Sequence, residues 1–348
     1  MRLALDAMGG DRAPEAPVAG AVAFARAHPD IDILLVGDVP RLAPLLKRVR
    51  PQNLSLHHAQ DVVGMEASAT DVRRRPDSSV SVAIRLVRDG NADAVVSAGH
   101  SGALLTAATL GLGRIEGVDR PAIAALLPAL QHRRCLLVDA GANIECRPRW
   151  LAQFGVMGET YVRRVLGVAR PRVGVLSNGE EPGKGTPLTR GAAELLAKSD
   201  LDFLGYVEGS DLFSGRVDVV VTDGFSGNLV LKTAEGTALG AAGLVRQLLQ
   251  RSGAAERLGS MLLEPLLGGM RRVLDSAEVG GAPLLGVNGV AMVSHGSATP
   301  RAIENALKAA AEMVRVDLQG HLTDALRQAQ GWLTGTPESG KPATEPGV

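Results

Sequence analysis

Asp93-Ala94-Val95-Val96-Ser97-Ala98-Gly99-His100-Ser101-Gly102-Ala103-Leu104-Leu105 reads as a strand, a small-residue turn and the start of a helix. The run Asp93–Ala98 is apolar at consecutive positions rather than alternate ones, as in a strand covered on both faces. The helical pattern Gly102–Gly111 follows after a turn too short for anything else. Moving outward, further strands are expected at Arg2–Asp6, Ile31–Gly37, Leu54–Ala59, Ala122–Leu127, Cys135–Asp139, Arg172–Ser177, Phe203–Val207 and Val217–Thr222. Helices are expected at Pro14–Ala27, Ser79–Asp89, Arg149–Leu166 and Thr189–Ala197. This alternation predicts an α/β fold: three αβα layers around a mainly parallel sheet.

The glycines sharpen the picture. Many of the 42 follow directly on an expected strand. They stand in Met8-Gly9-Gly10-Asp11, Gly99-His100-Ser101-Gly102, Ala140-Gly141-Ala142-Asn143, Asn178-Gly179-Glu180-Glu181-Pro182-Gly183-Lys184-Gly185 and Asp223-Gly224-Phe225-Ser226-Gly227-Asn228. Ligands of open α/β sheets bind beyond the carboxyl ends of strands, and glycine lets backbone approach them. Five such loops on one edge would form a long cleft.

Beyond residue 229 the character changes. Leu229–Arg251 and Glu256–Leu274 read as two helical arms of a protruding hairpin spanning 229–274. Strands return at Pro283–Val287 and Val290–Ser294, and helices at Pro300–Gln319 and Leu322–Leu333. Residues 1–335 are expected to form a single α/β catalytic domain that includes the hairpin, and 336–348 a disordered tail.

Composition excludes several classes. Lys+Arg and Asp+Glu are both 37, so no global field draws nucleic acid. Aromatic residues make up 3%, too few for base-stacking surfaces. Two cysteines, Cys135 and Cys146, supply neither a disulfide framework nor a zinc cage. No signal peptide or spanning segment is read, so a cytoplasmic protein is expected. Walker, Gly-x-Gly-x-x-Gly, Gly-x-Ser-x-Gly and His-Glu-x-x-His patterns are missing, and no metal or cofactor is expected.

A strand, glycine turn and helix present backbone N–H groups and a helix dipole to an oxyanion. Gly99, His100, Ser101 and Gly102 are one such turn; Gly224–Asn228 is a second. Lys184, between two glycines, can reach a phosphate as a point charge; its plain alternative is a solvated loop lysine. His295, at a strand end, can donate a proton or a hydrogen bond, or simply satisfy local structure. Asp6, Asp11, Asp139 and Asp223 are read as loop supports that accept N–H bonds. Cys146 is read as an inert thiol and the remaining histidines as structural.

Six of these motifs, in this order, carry a resemblance. They are Leu5-Asp6-Ala7-Met8-Gly9-Gly10-Asp11, Ser97–Ala103, Asp139–Asn143, Asn178-Gly179-Glu180-Glu181 with Lys184-Gly185, Asp223–Asn228, and Gly286-Val287-Asn288-Gly289 running to His295-Gly296-Ser297. Over residues 1–330 the chain resembles the bacterial phosphate acyltransferase family of phospholipid synthesis. The resemblance implies an isocitrate/isopropylmalate-dehydrogenase-like fold related to phosphotransacetylase, and a homodimer. It implies that acyl-[acyl carrier protein] and inorganic phosphate give acyl phosphate, which feeds a membrane glycerol-3-phosphate acyltransferase.

On that reading phosphate sits on Gly99, His100, Ser101 and Gly102 with Lys184 and Ser297. Lys184, Asn228 and His295 carry catalysis, the last two toward the thioester oxygen or leaving group. Asp6, Gly9, Gly10, Asp11, Asn143 and Asp223 support the loops. The family usually has Asn-Thr where this chain has His100-Ser101, which questions any role specific to the amide. The hairpin has three compatible uses: a dimer contact, a carrier-protein dock through Arg246, Arg251 and Arg257, or a peripheral membrane contact at Leu262–Leu267. Two other readings stay open, a dehydrogenase of the same fold and a non-catalytic carrier-binding scaffold.

Overall fold

Every one of the expected apolar runs forms a strand, within two residues of its expected ends. The structure, a computed structural model, describes residues 1–47, 49–131, 133–250 and 280–334. The strands are β1 (Arg2–Asp6), β2 (Asp32–Gly37), β3 (Leu54–His58), β4 (Ala94–Ser97), β5 (Ala122–Pro128) and β6 (Arg134–Val138). They continue with β7 (Arg172–Leu176), β8 (Asp202–Val207), β9 (Val219–Val221), β10 (Ala282–Leu285) and β11 (Val290–Val293). All lie in one sheet of order β3-β2-β1-β4-β11-β10-β5-β6-β9-β7-β8.

Helices cover both faces. On one side α1 (Glu15–Ala27), α5 (Pro148–Val165), α6 (Pro187–Leu196), α9 (Pro300–Arg315) and α10 (Leu318–Leu333) share a core with Leu3, Leu5, Val96, Leu136 and Val138. On the other, α3 (Ser79–Arg88) and α4 (Ser101–Gly111) pack on Ala4 and Val95. Leu3 and Leu5 point one way and Ala4 the other, so the period-2 geometry of a strand feeds both layers at once. Two short helices, α2 (Val39–Leu46) and α7 (Asp211–Ser214), and a 3-10 segment at Ala69–Arg74 were not expected from the sequence. The first hairpin arm is α8 (Gly224–Gln250), which starts five residues earlier than expected because Asp223 caps it. The second arm, the hairpin tip and the tail lie outside the described residues.

Strand polarity corrects one expectation. Neighbours pair in parallel except at β11–β10, β10–β5 and β5–β6, which are antiparallel. The sense of the sheet is therefore reversed from β6 onward. Strands β1, β2, β3, β4 and β11 run one way; β6, β9, β7 and β8 run the other. The glycine loops do not share one edge. Those after β1, β4 and β11 lie on a first edge, and those after β6, β7 and β9 on the opposite edge.

In the second half Asp218, just before β9, is buried and takes a fork from Arg172 at the start of β7. Arg172 Nε donates to Oδ2 at 2.8 Å and Nη2 to Oδ1 at 3.0 Å, and Arg172 N adds a bond of 2.9 Å. Asp218→Ala would leave the guanidinium facing an apolar strand end. It is expected to cost about 2 kcal/mol, read as a lower urea midpoint with unchanged slope.

Candidate active site

Three loops build the first edge. The Asp6 carboxylate, buried at the end of β1, accepts from Ser97 Oγ at 2.7 Å and from Met8 N at 3.2 Å. Ser97 Oγ accepts in turn from Gly99 N at 3.0 Å. A side chain at Gly9 would stand 2.7 Å from both Asp6 Oδ2 and Gly99 N, so the β1 and β4 loops touch backbone to backbone. Next door, Gly10 lies in the left-handed region against the carbonyls of Gly296 and Ala98. The β11 loop is tied to both neighbours, through Asp11 N to Gly296 O at 2.8 Å and Ser294 N to Ser97 O at 2.8 Å. Asp6, Gly9, Gly10 and Asp11 thus hold this edge together, the last through its amide.

His100 does something unexpected. Its Nδ1 accepts from Ala103 N at 3.1 Å, the N-cap bond that Asn or Asp usually makes. The imidazole therefore makes locally the cap bond that an asparagine side chain would make. Nδ1 is occupied as an acceptor, so the neutral ring carries its proton on Nε2. Ser101 and Gly102, the first residues of α4, have amides without an intrahelical acceptor, and Ser101 is exposed.

His295 repeats the pattern. Its Nδ1 accepts from Ser297 N at 3.2 Å and lies 2.8 Å from Ser297 Oγ. Ser297 is thus engaged in orienting the imidazole of this exposed residue, which leaves Nε2 as the donor nitrogen of the neutral ring.

On the opposite edge the central group is Asp139, fully buried after β6. Oδ1 accepts from the amides of Ile123, Gly141 and Ala142 at 2.9–3.1 Å, and Oδ2 from Asn143 N at 2.7 Å and Nδ2 at 2.8 Å. Asn143 also donates to Pro121 O and accepts from Gly224 N at 2.7 Å, joining this loop to α8. A side chain at Gly227 would overlap the Asp139 carbonyl, so helix and loop are in contact there. Asp223 caps α8 by accepting from Ser226 N at 2.8 Å and Oγ at 2.9 Å. Asn228 is exposed beside Gly141. Lys184 is exposed on a loop closed by Lys184 N to Glu181 O and Gly185 N to Asn178 Oδ1, while the neighbouring Glu180 pairs with Arg216 at 2.5 Å.

Burial raises the carboxyl pKa of both Asp6 and Asp139, against the hydrogen bonds that favour their charged forms. A carboxyl raised in the folded state holds its proton more tightly than in the unfolded chain. Each therefore makes the fold more stable as pH falls from its raised value toward the ordinary 3.8. The Cys146 thiol is pushed up to about 12 by burial, as an unreactive sulfur is. Among the described residues no three His, Cys, Asp or Glu side chains gather as metal ligands would, and no helix is long and apolar enough to cross a membrane.

The structure brings His100, Ser101, Gly99, Gly102, His295 and Ser297 onto adjacent loops. Lys184 follows β7 and Asn228 follows β9, strands that run in the opposite sense to β4 and β11. β4 and β7 are six strand spacings apart, about 29 Å at ~4.8 Å each, and their loops leave in opposite directions. Ser97 and Arg216 escaped the sequence reading. Ser97 could have been flagged as the polar end of an otherwise apolar strand.

A family model described as "Fatty acid synthesis protein" matches residues 1–320. The chain is 60% identical over 352 aligned residues to a phosphate acyltransferase of Myxococcus xanthus, covering 100% of this chain and 99% of that protein. It is 47% identical to a phosphate acyltransferase of Geobacter sulfurreducens, with 94% of each chain covered. Among solved structures it resembles a phosphotransacetylase from Streptococcus pyogenes, with a TM-score of 0.55, 16% identity and 94% of each chain covered. A second is the EutD phosphotransacetylase of Staphylococcus aureus, with a TM-score of 0.56, 14% identity, and 90% and 94% covered. At these identities the two structures bear on the fold alone.

If His100 acts as a cap, His100→Ala is expected to cost about 1 kcal/mol of stability. His100→Asn is expected to restore most of it. Urea midpoints of the three proteins provide the check.

Proposed function

The chain belongs to the fatty acid synthesis protein family, with the curated phosphate acyltransferases among its relatives, and from that membership we propose that it moves an acyl group from an acyl-[acyl carrier protein] thioester to inorganic phosphate. The observation that carries the site assignment is the start of α4. Two amides without intrahelical acceptors and the Ser101 hydroxyl stand on the loop next to the one that carries His295, whose ring is held through Nδ1 by Ser297. That combination suits a phosphate dianion: amides and helix dipole favour the charge, the hydroxyl fixes its orientation, and the imidazole stays free for the second substrate.

The chemistry asks little of the protein beyond placement. A phosphate oxygen attacks the thioester carbonyl carbon, a C–O bond forms and the C–S bond breaks. The sulfur leaves as thiolate, and the proton of hydrogen phosphate ends on it. A thiol with a free pKa of about 8.5 is a fair leaving group, so no acyl-enzyme is needed. Holding nucleophile and carbonyl in line can lower the barrier by about 7–11 kcal/mol. His295 Nε2–H donates to the carbonyl oxygen as charge develops there, a contribution of about 10²–10³ in rate. The acyl phosphate is the activated product that a membrane glycerol-3-phosphate acyltransferase would use. Cytoplasmic placement with a peripheral membrane contact, and docking of the acidic carrier, belong to the same proposal.

The test is turnover of palmitoyl-carrier protein with phosphate, trapping product with hydroxylamine. Acyl hydroxamate is expected to rise with phosphate and enzyme together, above the background from direct attack of hydroxylamine on the thioester that a phosphate-free control gives. Carrier binding without product would instead support a non-catalytic scaffold. Ser101→Ala should raise the apparent phosphate KM about tenfold or more while kcat changes less. An unchanged KM would take Ser101 out of the phosphate site.

A further inference from the structure

We propose that Arg73, on the segment between β3 and α3, supplies the positive charge that holds phosphate at the start of α4. The inference rests on the acyl-transfer reading above and deepens it, because the first-edge loops leave a dianion without a counter-charge.

Among the loop residues of the first edge the charges cancel. The loops after β1, β4 and β11 carry one arginine, Arg12, and no lysine. Arg12 adjoins Asp11, whose carboxylate lies beside Gly296, and Asp6 is buried behind both. Amides, a helix dipole and a hydroxyl offer only partial charges. A guanidinium adds a full charge and a fork that matches two phosphate oxygens.

A segment outside these loops brings one. Residues 61–78 leave the sheet and return to where they began. Asp61 N donates to Asp77 O at 3.1 Å and Ser79 N to Asp61 O at 2.9 Å. Arg75 Nη1 closes the neck by donating to Asp61 Oδ1 at 3.0 Å and to Val62 O at 3.1 Å. Between its ends the segment lies on the candidate site. A side chain at Gly296 would stand 2.6 Å from Met65 Cε, and one at Gly102 would stand 2.8 Å from Ala69 Cβ. The first glycine belongs to the His295 loop and the second to the first turn of α4. The 3-10 segment Ala69–Arg74 therefore begins against the α4 start. It is fixed there by the buried Val72 and by a reciprocal cap: Ser68 N donates to Asp71 Oδ2 at 3.1 Å, and Thr70 N to Ser68 Oγ at 3.4 Å.

Three consecutive arginines end that turn, and two are already balanced. Arg74 and Arg75 line one recess with Asp61 and Asp71, two guanidiniums to two carboxylates. Arg73 is exposed and, among the described residues, has neither an ion pair nor a hydrogen-bond partner. In a 3-10 helix residues three apart eclipse one another. Ala69 and Val72 thus form the packed row, Asp71 and Arg74 the recess row, and Arg73 shares its row with Thr70. Helical side chains lean toward the N-terminal end of their own segment. For Arg73 that is the end seated against Gly102. An unpaired guanidinium on a fixed turn can meet phosphate without first giving up a carboxylate.

The experiment compares Arg73→Ala, Arg73→Lys, Arg74→Ala and Arg12→Ala with the wild-type chain. Initial rates of acyl phosphate formation are read against phosphate at saturating palmitoyl-carrier protein, then against the carrier at saturating phosphate. Arg73→Ala is expected to raise the apparent phosphate KM about 10–100-fold, with a smaller change in kcat. Arg73→Lys keeps the charge and loses the fork, so its KM should fall between. Arg74→Ala and Arg12→Ala should leave the phosphate KM unchanged. An unchanged phosphate KM in Arg73→Ala overturns the proposal. So does an equal rise in either neighbouring variant, or a rise in the carrier KM alone, which would assign Arg73 to the acidic carrier. A second readout needs no turnover. Inorganic phosphate should raise the Tm of the wild type and of Arg74→Ala and leave that of Arg73→Ala in place. No shift in the wild type, or an equal shift in Arg73→Ala, overturns the proposal. Absent product from the wild type would sink the acyl-transfer reading, while the phosphate-dependent Tm still judges Arg73.

Discussion

Leu126 opposite Leu136 and Leu127 opposite Cys135 hold β5 and β6 as an antiparallel pair at the middle of the sheet. Because these strands are joined by a short turn, β6 must run back along β5. The strands that follow it in the sheet, β9, β7 and β8, inherit the reversed sense through parallel pairing. The β10–β11 hairpin brings the chain back to the first half, where β11 docks in parallel on β4. Where each loop faces, and so which side chains can cooperate, follows from that one reversal.

Each half then solves the same problem with the same parts. A buried aspartate ends a strand, Asp6 after β1 and Asp139 after β6, and gathers hydrogen bonds from its own loop and a neighbour. Burying a carboxylate is costly, and the cost is offset where several donors surround it. Glycines let the adjoining backbone come close enough to supply those donors, at Gly9 against Gly99 and at Gly227 against Asp139. Rigid loops of this kind suit a reaction in which the nucleophile and leaving group already have the reactivity they need, and alignment is what the protein adds.

The strands were legible because both faces of the sheet are covered and their apolar runs are continuous. The motifs were legible because small residues at strand ends have few other uses. Polarity was not drawn from the sequence, although the evidence was present. The interval between Leu127 and Cys135 is too short for a crossover helix, and Asn288-Gly289 between two apolar runs is a hairpin turn. Reading those two hairpins would have divided the glycine loops between two edges. The cap made by His100 was out of reach, because the sequence does not say which ring nitrogen meets which amide. The start of α8 was placed late since Gly224 and Gly227 look like loop, whereas Asp223 and close packing on Asp139 make them helix.

The claim most exposed to test is that phosphate binds at the start of α4. A crystal structure with bound phosphate decides it. The account predicts the anion on the amides of Ser101 and Gly102, within hydrogen-bond distance of Ser101 Oγ and on the Nε2 side of His295. Phosphate held at the Lys184 loop, with the α4 turn empty in every copy, would contradict it.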